Sequence, residues 1–251
     1  MPRTEPFDEH LAEYEKWFED NRFAYEAELE AVRRHLDVEK PARKAKQRGT
    51  SVDPARPARP ARSRNRPGEA GGLEIGVGSG LFAAPLGIRH GVEPSERMRS
   101  KAVERGIEVV EGVAEDLPFD DASFDFALMV TTICFVDDPS RSVEEARRVV
   151  RPGGRIVLGL VDRESPVGKL YEKHRHKSVF YRDATFFTAG EVTKLMEDAG
   201  LFDFRYTQTI FRPLREITGP EEVRDGRGDG SFVVVSGIRP SAPSGRQHRR
   251  P

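Results

Sequence analysis

Apolar positions along the chain recur first at helical spacing and later as an alternation of strand-like and helix-like runs. Residues 7–36 place Leu11, Tyr14 and Phe18, then Tyr25, Leu29 and Val32, three or four positions apart among charged residues. That is the stripe of an amphipathic helix in one or two pieces. The stretch from Pro41 to Ala70 repeats Pro-Ala-Arg and holds almost no large apolar side chain, so it cannot bury enough surface to offset its ordering entropy and is expected to be a mobile linker. From Leu73 onward the runs Leu73–Gly76, Gly91–Glu93, Ile107–Glu111, Phe124–Val130 and Arg155–Leu160 read as strands. Helices are predicted between them from about Leu81, over Glu96–Arg105 and over Ser140–Val150.

Such alternation specifies a mostly parallel sheet with helices on both faces, whose ligands bind beyond the carboxyl ends of the strands. Past Asp162 comes a polar, aromatic-rich stretch, then a helix over Thr188–Ala199 closed by Gly200, then strands over Phe204–Phe211 and Ser231–Ile238. The turn-rich connection Thr218–Gly230 is too short for a packed crossover helix, so these last two strands pair antiparallel. The expected fold is α/β and doubly wound, a seven-stranded mostly parallel sheet with an antiparallel last strand. It occupies residues 71–238, behind a helical cap over 1–38 and a basic linker over 39–70, and ahead of a disordered basic tail over 239–251.

Charge refines this organisation. The formal net charge is −1, which by itself points to neither nucleic acid nor membrane. Residues 39–70 carry +7 and residues 239–251 carry +4, leaving −12 on the remainder, an acidic body with two basic extensions. The acidic body disfavours a nucleic-acid substrate unless those extensions recruit it. A single cysteine, Cys134, rules out an intramolecular disulfide framework or a cysteine-based metal cluster and fits a reducing compartment; Cys134 itself reads as a small buried residue. No metal site is expected. The longest nearly apolar run, Phe126–Val136, is far short of a membrane span, so the expectation is a soluble, cytoplasmic protein with no membrane partner.

The chemistry concentrates at Leu73-Glu74-Ile75-Gly76-Val77-Gly78-Ser79-Gly80, which sets three glycines between a strand and a helix, where bare backbone can approach a ligand. The spacing is G-x-G-x-G, and Leu81 occupies the place of the third glycine of the dinucleotide pattern, which counts against a nicotinamide-dependent oxidoreductase. Glu93, 19 residues after Glu74, closes the second strand, where a carboxylate can accept both hydroxyls of a ribose.

Together, LEIGVGSG, GVEPS, GVAEDLPFDDASFDFALMVTTICFVDDP and EEARRVVRPGGRIVLG resemble the successive blocks of the class I S-adenosylmethionine-dependent methyltransferases, in the subgroup whose third block reads AEDLPF. The resemblance covers Leu73–Leu160 closely. It implies that Glu74 and the backbone of Gly76, Gly78 and Gly80 hold the methionine end of S-adenosylmethionine, that Glu93 binds the ribose, and that Pro94 and Ser95 lie along the adenosine. Many relatives carry an Asp facing the adenine amino group where this chain has Val113. That leaves the backbone of Ala114 and Glu115, with the Glu115 or Asp116 side chain as substitutes. Thr131 and Thr132 would sit beside the sulfonium, or merely pack at the strand end.

The resemblance implies methyl transfer, and the modest sequence outside the core favours a small-molecule acceptor. A cofactor-binding scaffold without turnover is the alternative. Methyl transfer needs no conspicuous catalytic motif, because the cofactor supplies the activation. Base candidates are His174, His176 and Tyr181, although a His in so charged a stretch is more often a solvated surface residue. Tyr14, Trp17, Phe18, Phe180, Tyr181, Phe186 and Phe187 belong to the core by default, and some line an acceptor pocket if the N-terminal helices fold over the strand ends as a lid. On that reading, removing residues 1–36 leaves a folded sheet.

Overall fold

A computed structural model describes residues 4–36 and 71–241. The expected linker over 39–70 lies outside the described residues, as does the tail from residue 242 on. Three helices open the chain: α1 (Glu5–Glu9), α2 (Leu11–Asp20) and α3 (Arg22–Arg33). They number three, beyond the one or two pieces expected, because the chain leaves helical geometry at His10 and again at Asn21, whose side-chain amide donates to Trp17 O at 2.9 Å.

Then follow β1 (Gly72–Ile75), α4 (Ala83–Leu86), β2 (His90–Val92), α5 (Glu96–Glu104), β3 (Glu108–Val110), β4 (Phe124–Val130), α6 (Pro139–Val149) and β5 (Val150–Val161). The chain finishes with α7 (Pro166–His174), α8 (Ala189–Asp198), β6 (Phe202–Thr209), β7 (Arg224–Asp225) and β8 (Phe232–Ile238). The helix expected from Leu81 spans only four residues, stopped by Gly87 in the left-handed conformation. Helix α7 was not read in the sequence. Its signal is local: Ser165 caps it, accepting from Gly168 N at 2.9 Å, and Pro166 opens its first turn.

One sheet contains all the strands, in the order β3-β2-β1-β4-β5-β8-β6-β7. The first five are parallel, and β8 runs antiparallel between β5 and β6. The count is eight where seven were expected, because two residues inside the long β6–β8 connection pair with Thr207 and Gln208 as an edge strand. Strand β8 lies between two neighbours and is buried on both faces, which accounts for its unbroken Phe232-Val233-Val234-Val235 run.

Alternate residues of the central strands feed two cores. Ala127, Met129, Ile156, Leu158 and Val235 pack with α6 and α8, whereas Leu128, Val130, Val157 and Val234 pack with α3 and α4. Helix α3 is therefore sheet core. It buries Ala24, Ala27, Leu29, Ala31 and Val32, whereas α1 and α2 have no fully buried residue. Just past α3, buried His35 sits between Ser236 Oγ (2.7 Å from Nδ1) and Thr207 Oγ1 (3.0 Å from Nε2), which pins the helix to β8 and β6. The expected 1–38 cap thus divides structurally between α1–α2 and α3.

Helix α6 holds the third sequence block. Buried Glu145 accepts from Leu117 N at 2.9 Å and pairs with Arg148 at 2.7 Å, while Arg148 donates to Leu117 O and Phe119 O. Burial opposes the charge of Glu145, but the Arg148 and Leu117 hydrogen bonds outweigh it and hold the carboxyl below its usual range. Glu145→Ala leaves Arg148 and the Leu117 amide without that partner and is expected to cost about 3 kcal/mol, the scale of a broken buried pair, read as a lower midpoint in urea unfolding. Because the folded-state pKa is depressed, this stabilisation is present above the ordinary glutamate pKa and is lost as pH falls through the folded value.

Candidate active site

The carboxyl ends of β1 to β5, the β6 end and the start of β8 open onto one cavity of about 640 Å³. Its size is that of a small-molecule site. At its floor the chain turns sharply after β1. Gly76 (φ 68°) and Gly78 (φ 55°) adopt the left-handed conformation, and a Cβ on Gly76 would lie 2.4 Å from Thr132 Cγ2. Gly76 N and Val77 N both donate to Val92 O, which fixes the loop against β2.

Glu93, 8% exposed, follows β2 and faces the cavity. One carboxylate oxygen accepts from Gly78 N and the other from Ser95 N, each at 2.9 Å. Burial pushes its pKa up, opposed by those two N–H donors and by Arg99. Each carboxylate oxygen has a second acceptor site, so the group can still accept two hydroxyls. Pro94, Val113, Ala114 and Glu115 line the same end of the cavity, and Thr131 and Thr132 line its middle.

Comparisons with known proteins agree with this geometry. A family model described as a methyltransferase domain matches residues 73–158. A protein of Methanocaldococcus jannaschii is 38% identical over 230 residues, 92% of this chain and 97% of its own length. A Mycobacterium tuberculosis protein is 39% identical over 169 residues, 66% of this chain but 59% of its own, so the chain spans only part of that relative. The structure of an S-adenosylmethionine-dependent methyltransferase from Thermotoga maritima, described as a possible histamine N-methyltransferase, shares 45% identity across 94% of this chain and 99% of that one, with a TM-score of 0.80. The chain belongs to the S-adenosylmethionine-dependent methyltransferases.

S-adenosylmethionine is thus the methyl donor, and the donor set suits it. The left-handed glycines leave room for a ligand against backbone, and a buried carboxylate with spare acceptor sites faces the same space. Several of the residues expected from the sequence lie off the cavity. Glu74 is 2% exposed beneath the loop and does not line the cavity; it accepts from the Ala83 amide at the start of α4, its Oε2 has no partner, and burial raises its pKa well above the usual range. Gly80 also lies off the cavity, and a Cβ there would strike Ile107 Cδ1 at 2.5 Å, so its bareness serves the packing of α5 and β3. The Glu115 carboxylate, expected as an adenine contact, accepts from Asp137 N (2.7 Å) and Asp138 N (3.1 Å) and so braces the turn after β4. Asp116 is exposed and off the cavity.

Thr131 takes a left-handed conformation (φ 49°) costly for a β-branched residue. The neighbouring Thr132 hydroxyl donates to Val130 O at 3.1 Å. Cys134 donates to Thr131 O, and burial pushes its thiol up to about 12, which leaves it a neutral packing group. Of the base candidates, Tyr181 lines the cavity; burial raises its phenol well above the usual range, so it is neutral at assay pH. His174 and His176 do not line it: the His174 ring lies 3.1 Å from Leu170 O, and His176 is exposed in the turn Arg175–Lys177. Among the described residues no cluster of three His, Cys, Asp or Glu has the arrangement of a metal site, and no helix is long and apolar enough to cross a membrane.

The N-terminal helices roof this methyltransferase's cavity. Asp8 accepts from Ser95 Oγ at 2.6 Å, Glu15 pairs with Arg105 at 2.8 Å, and the Tyr14 hydroxyl lies 3.3 Å from the Cβ position of Gly78. Phe7 packs edge-on against Phe135 with centroids 5.1 Å apart and reaches Phe180 at 5.6 Å. Tyr25 donates to Leu81 O. Phe7, Asp8, Glu28 and Phe135 went unread in the sequence as site residues. Glu28 alone had a usable signal, a carboxylate set on the Tyr25-Leu29-Val32 stripe.

Proposed function

We propose that this methyltransferase acts on a small molecule held between the N-terminal helices and the strand ends. The observation that carries the reading is the aromatic chamber: Phe7, Trp17, Phe18, Tyr171, Phe180 and Phe232 line a volume of about 640 Å³, the size of a small-molecule site. The Thermotoga relative, described as a possible histamine N-methyltransferase, supports the same class of acceptor.

On this reading Glu93 accepts the ribose hydroxyls, the backbone of Gly76 and Gly78 meets the methionine end, and Pro94, Val113 and Ala114 flank the adenosine. When bound, the cofactor supplies a methyl group on a positive sulfur, activated for in-line displacement. The chain contributes orientation and dryness. Thr131 and Thr132 set the junction between the two ends of the chamber, and the aromatic roof excludes water that would weaken every polar contact inside.

The test incubates the full chain with methyl-labelled S-adenosylmethionine and, separately, a panel of small amines, phenols and thiols, an oligonucleotide mixture and unfolded protein. Label is expected in the small-molecule fraction alone. Label confined to nucleic acid or protein overturns the proposal, and cofactor binding with no transfer to any acceptor favours a scaffold role.

A further inference from the structure

Among the described side chains that line the chamber are five carboxyls, Glu13, Glu28, Glu93, Glu115 and Asp137, and no Lys, Arg or His. Glu93 and Glu115 are held by backbone amides, Glu13 lies 3.1 Å from His10, and Asp137 is likewise engaged. Glu28 differs. It is 7% exposed, on the inward stripe of α3, and forms no hydrogen bond or ion pair among the described residues. A carboxyl buried without a partner is strongly disfavoured as an anion, and burial alone pushes Glu28 up to about 8.

Its position separates it from the cofactor residues. Glu93 and Ala114 follow β2 and β3, at one side of the sheet, whereas Glu28 shares the chamber with Val161, Tyr171, Ile210 and Phe232, set at or beyond the ends of β5, β6 and β8. Thr131, after β4, lies between in strand order. Around this end stand aromatic rings whose faces attract cations: Tyr171 stacks on Tyr181 at 5.1 Å, and Trp17 and Phe18 come from α2. Ile210, like Thr131, is a β-branched residue held at positive φ (62°), so the backbone is constrained both beside Glu28 and at the β4 end.

We propose that Glu28 is the recognition group for a cationic amine acceptor, pairing with its ammonium inside an aromatic cage. The inference rests on the small-molecule reading above and specifies its substrate class. It also explains why the molecule keeps an unpaired carboxyl in an apolar wall, since the ligand supplies the missing counter-charge.

Binding has a proton signature. The titratable groups facing Glu28 are Tyr25 on its own helix, Tyr171 and Tyr181 across the chamber and, at the chamber wall from α2, Glu13 and Tyr14; β6 and β8 bring Ile210 and Phe232, which do not titrate. Burial holds all four phenols above their usual range, so they stay neutral near pH 7. At pH 7 the Glu28 carboxyl is then mostly protonated, and an arriving ammonium displaces that proton to solvent. Affinity rises with pH through about 8 for as long as the amine stays charged, to about pH 10 for a lysine-like amine.

The experiment is calorimetric titration of the full chain, saturated with S-adenosylhomocysteine, with 2-phenylethylamine, histamine and the neutral 2-phenylethanol, at pH 7 in phosphate and in Tris. At least one amine is expected to bind at least tenfold tighter than the alcohol, with close to one proton released per amine. Glu28→Gln is expected to lose tenfold or more in amine affinity together with the proton release, while cofactor-product and alcohol binding stay unchanged; Glu28→Asp keeps the charge and the proton release. Equal amine affinity in Glu28→Gln, an alcohol that binds as well as both amines, or no amine binding to a chain that holds S-adenosylhomocysteine overturns the proposal. Methyl transfer to neutral small acceptors with Glu28→Gln fully active also overturns it and leaves the small-molecule reading intact, whereas label found only on macromolecules removes both.

Discussion

Glu93→Ala is expected to weaken S-adenosylmethionine binding by at least tenfold. If Glu93 accepts the two ribose hydroxyls, their loss removes two hydrogen bonds to a charged acceptor, each worth roughly 1.5–3 kcal/mol, and a tenfold change needs only about 1.4 kcal/mol. The substitution also strips Gly78 N and Ser95 N of their acceptor, so the glycine loop loses a brace. Glu93→Gln separates the effects, since its amide oxygen restores one acceptor without the charge. Burial raises the Glu93 pKa, and the charged form is the better acceptor, so wild-type affinity falls as pH drops toward that raised value while the Gln variant loses this dependence. Calorimetric titration over a pH series reads both effects. Unchanged affinity in Glu93→Ala would place the ribose elsewhere.

Removing residues 1–20 is expected to cut methyl transfer by about a hundredfold, the scale of small misplacements in a reacting site, while the protein still melts cooperatively. Helices α1 and α2 have no fully buried residue, yet Phe7, Tyr14, Trp17 and Phe18 line the chamber, and Asp8 and Glu15 tie the roof to Ser95 and Arg105. Without them the chamber floods and the acceptor loses one wall. Removing residues 1–36 behaves differently, contrary to the expectation from sequence. It uncovers the face of the sheet that Leu29, Val32 and Leu36 bury, at roughly 1.5–3 kcal/mol per side chain, and breaks the His35 contacts to Ser236 and Thr207. That is a loss of roughly 5 kcal/mol or more, comparable to a small domain's whole stability. Thermal melts of the two truncations, with transfer measured on the shorter one, decide the matter. Full transfer without residues 1–20 would make the roof dispensable.

The glycine loop, Glu93 and the alternating strands were legible because each depends on residues close together in the chain. A strand, a tight turn and a helix start need specific side chains at fixed local spacing, and Gly76 and Gly78 adopt the positive φ that such a turn demands. Gly80 met the same pattern for a different reason, since its contacts lie on Ala102 and Ile107, about 25 residues away, which no local rule weighs. The third block, expected from the resemblance to meet the adenine, lines the cavity with Val113, Ala114 and Glu115, while the Glu115 carboxylate turns to amides that come after another strand, which no local rule weighs.

By its own periodicity and punctuation the sequence determined an α/β sheet with an antiparallel end, and a glycine turn with an acidic residue at the strand ends. Tertiary structure alone decided which N-terminal helix is core and which is roof. Helices α2 and α3 carry similar amphipathic stripes, and a stripe records that a face is covered without recording what covers it. It also decided that His174 and His176 stay outside the chamber while Glu28, more than 40 residues before the first strand, stands inside it. Burial of a single carboxyl depends on how distant elements close around it, and that closure is set by packing across the whole sheet.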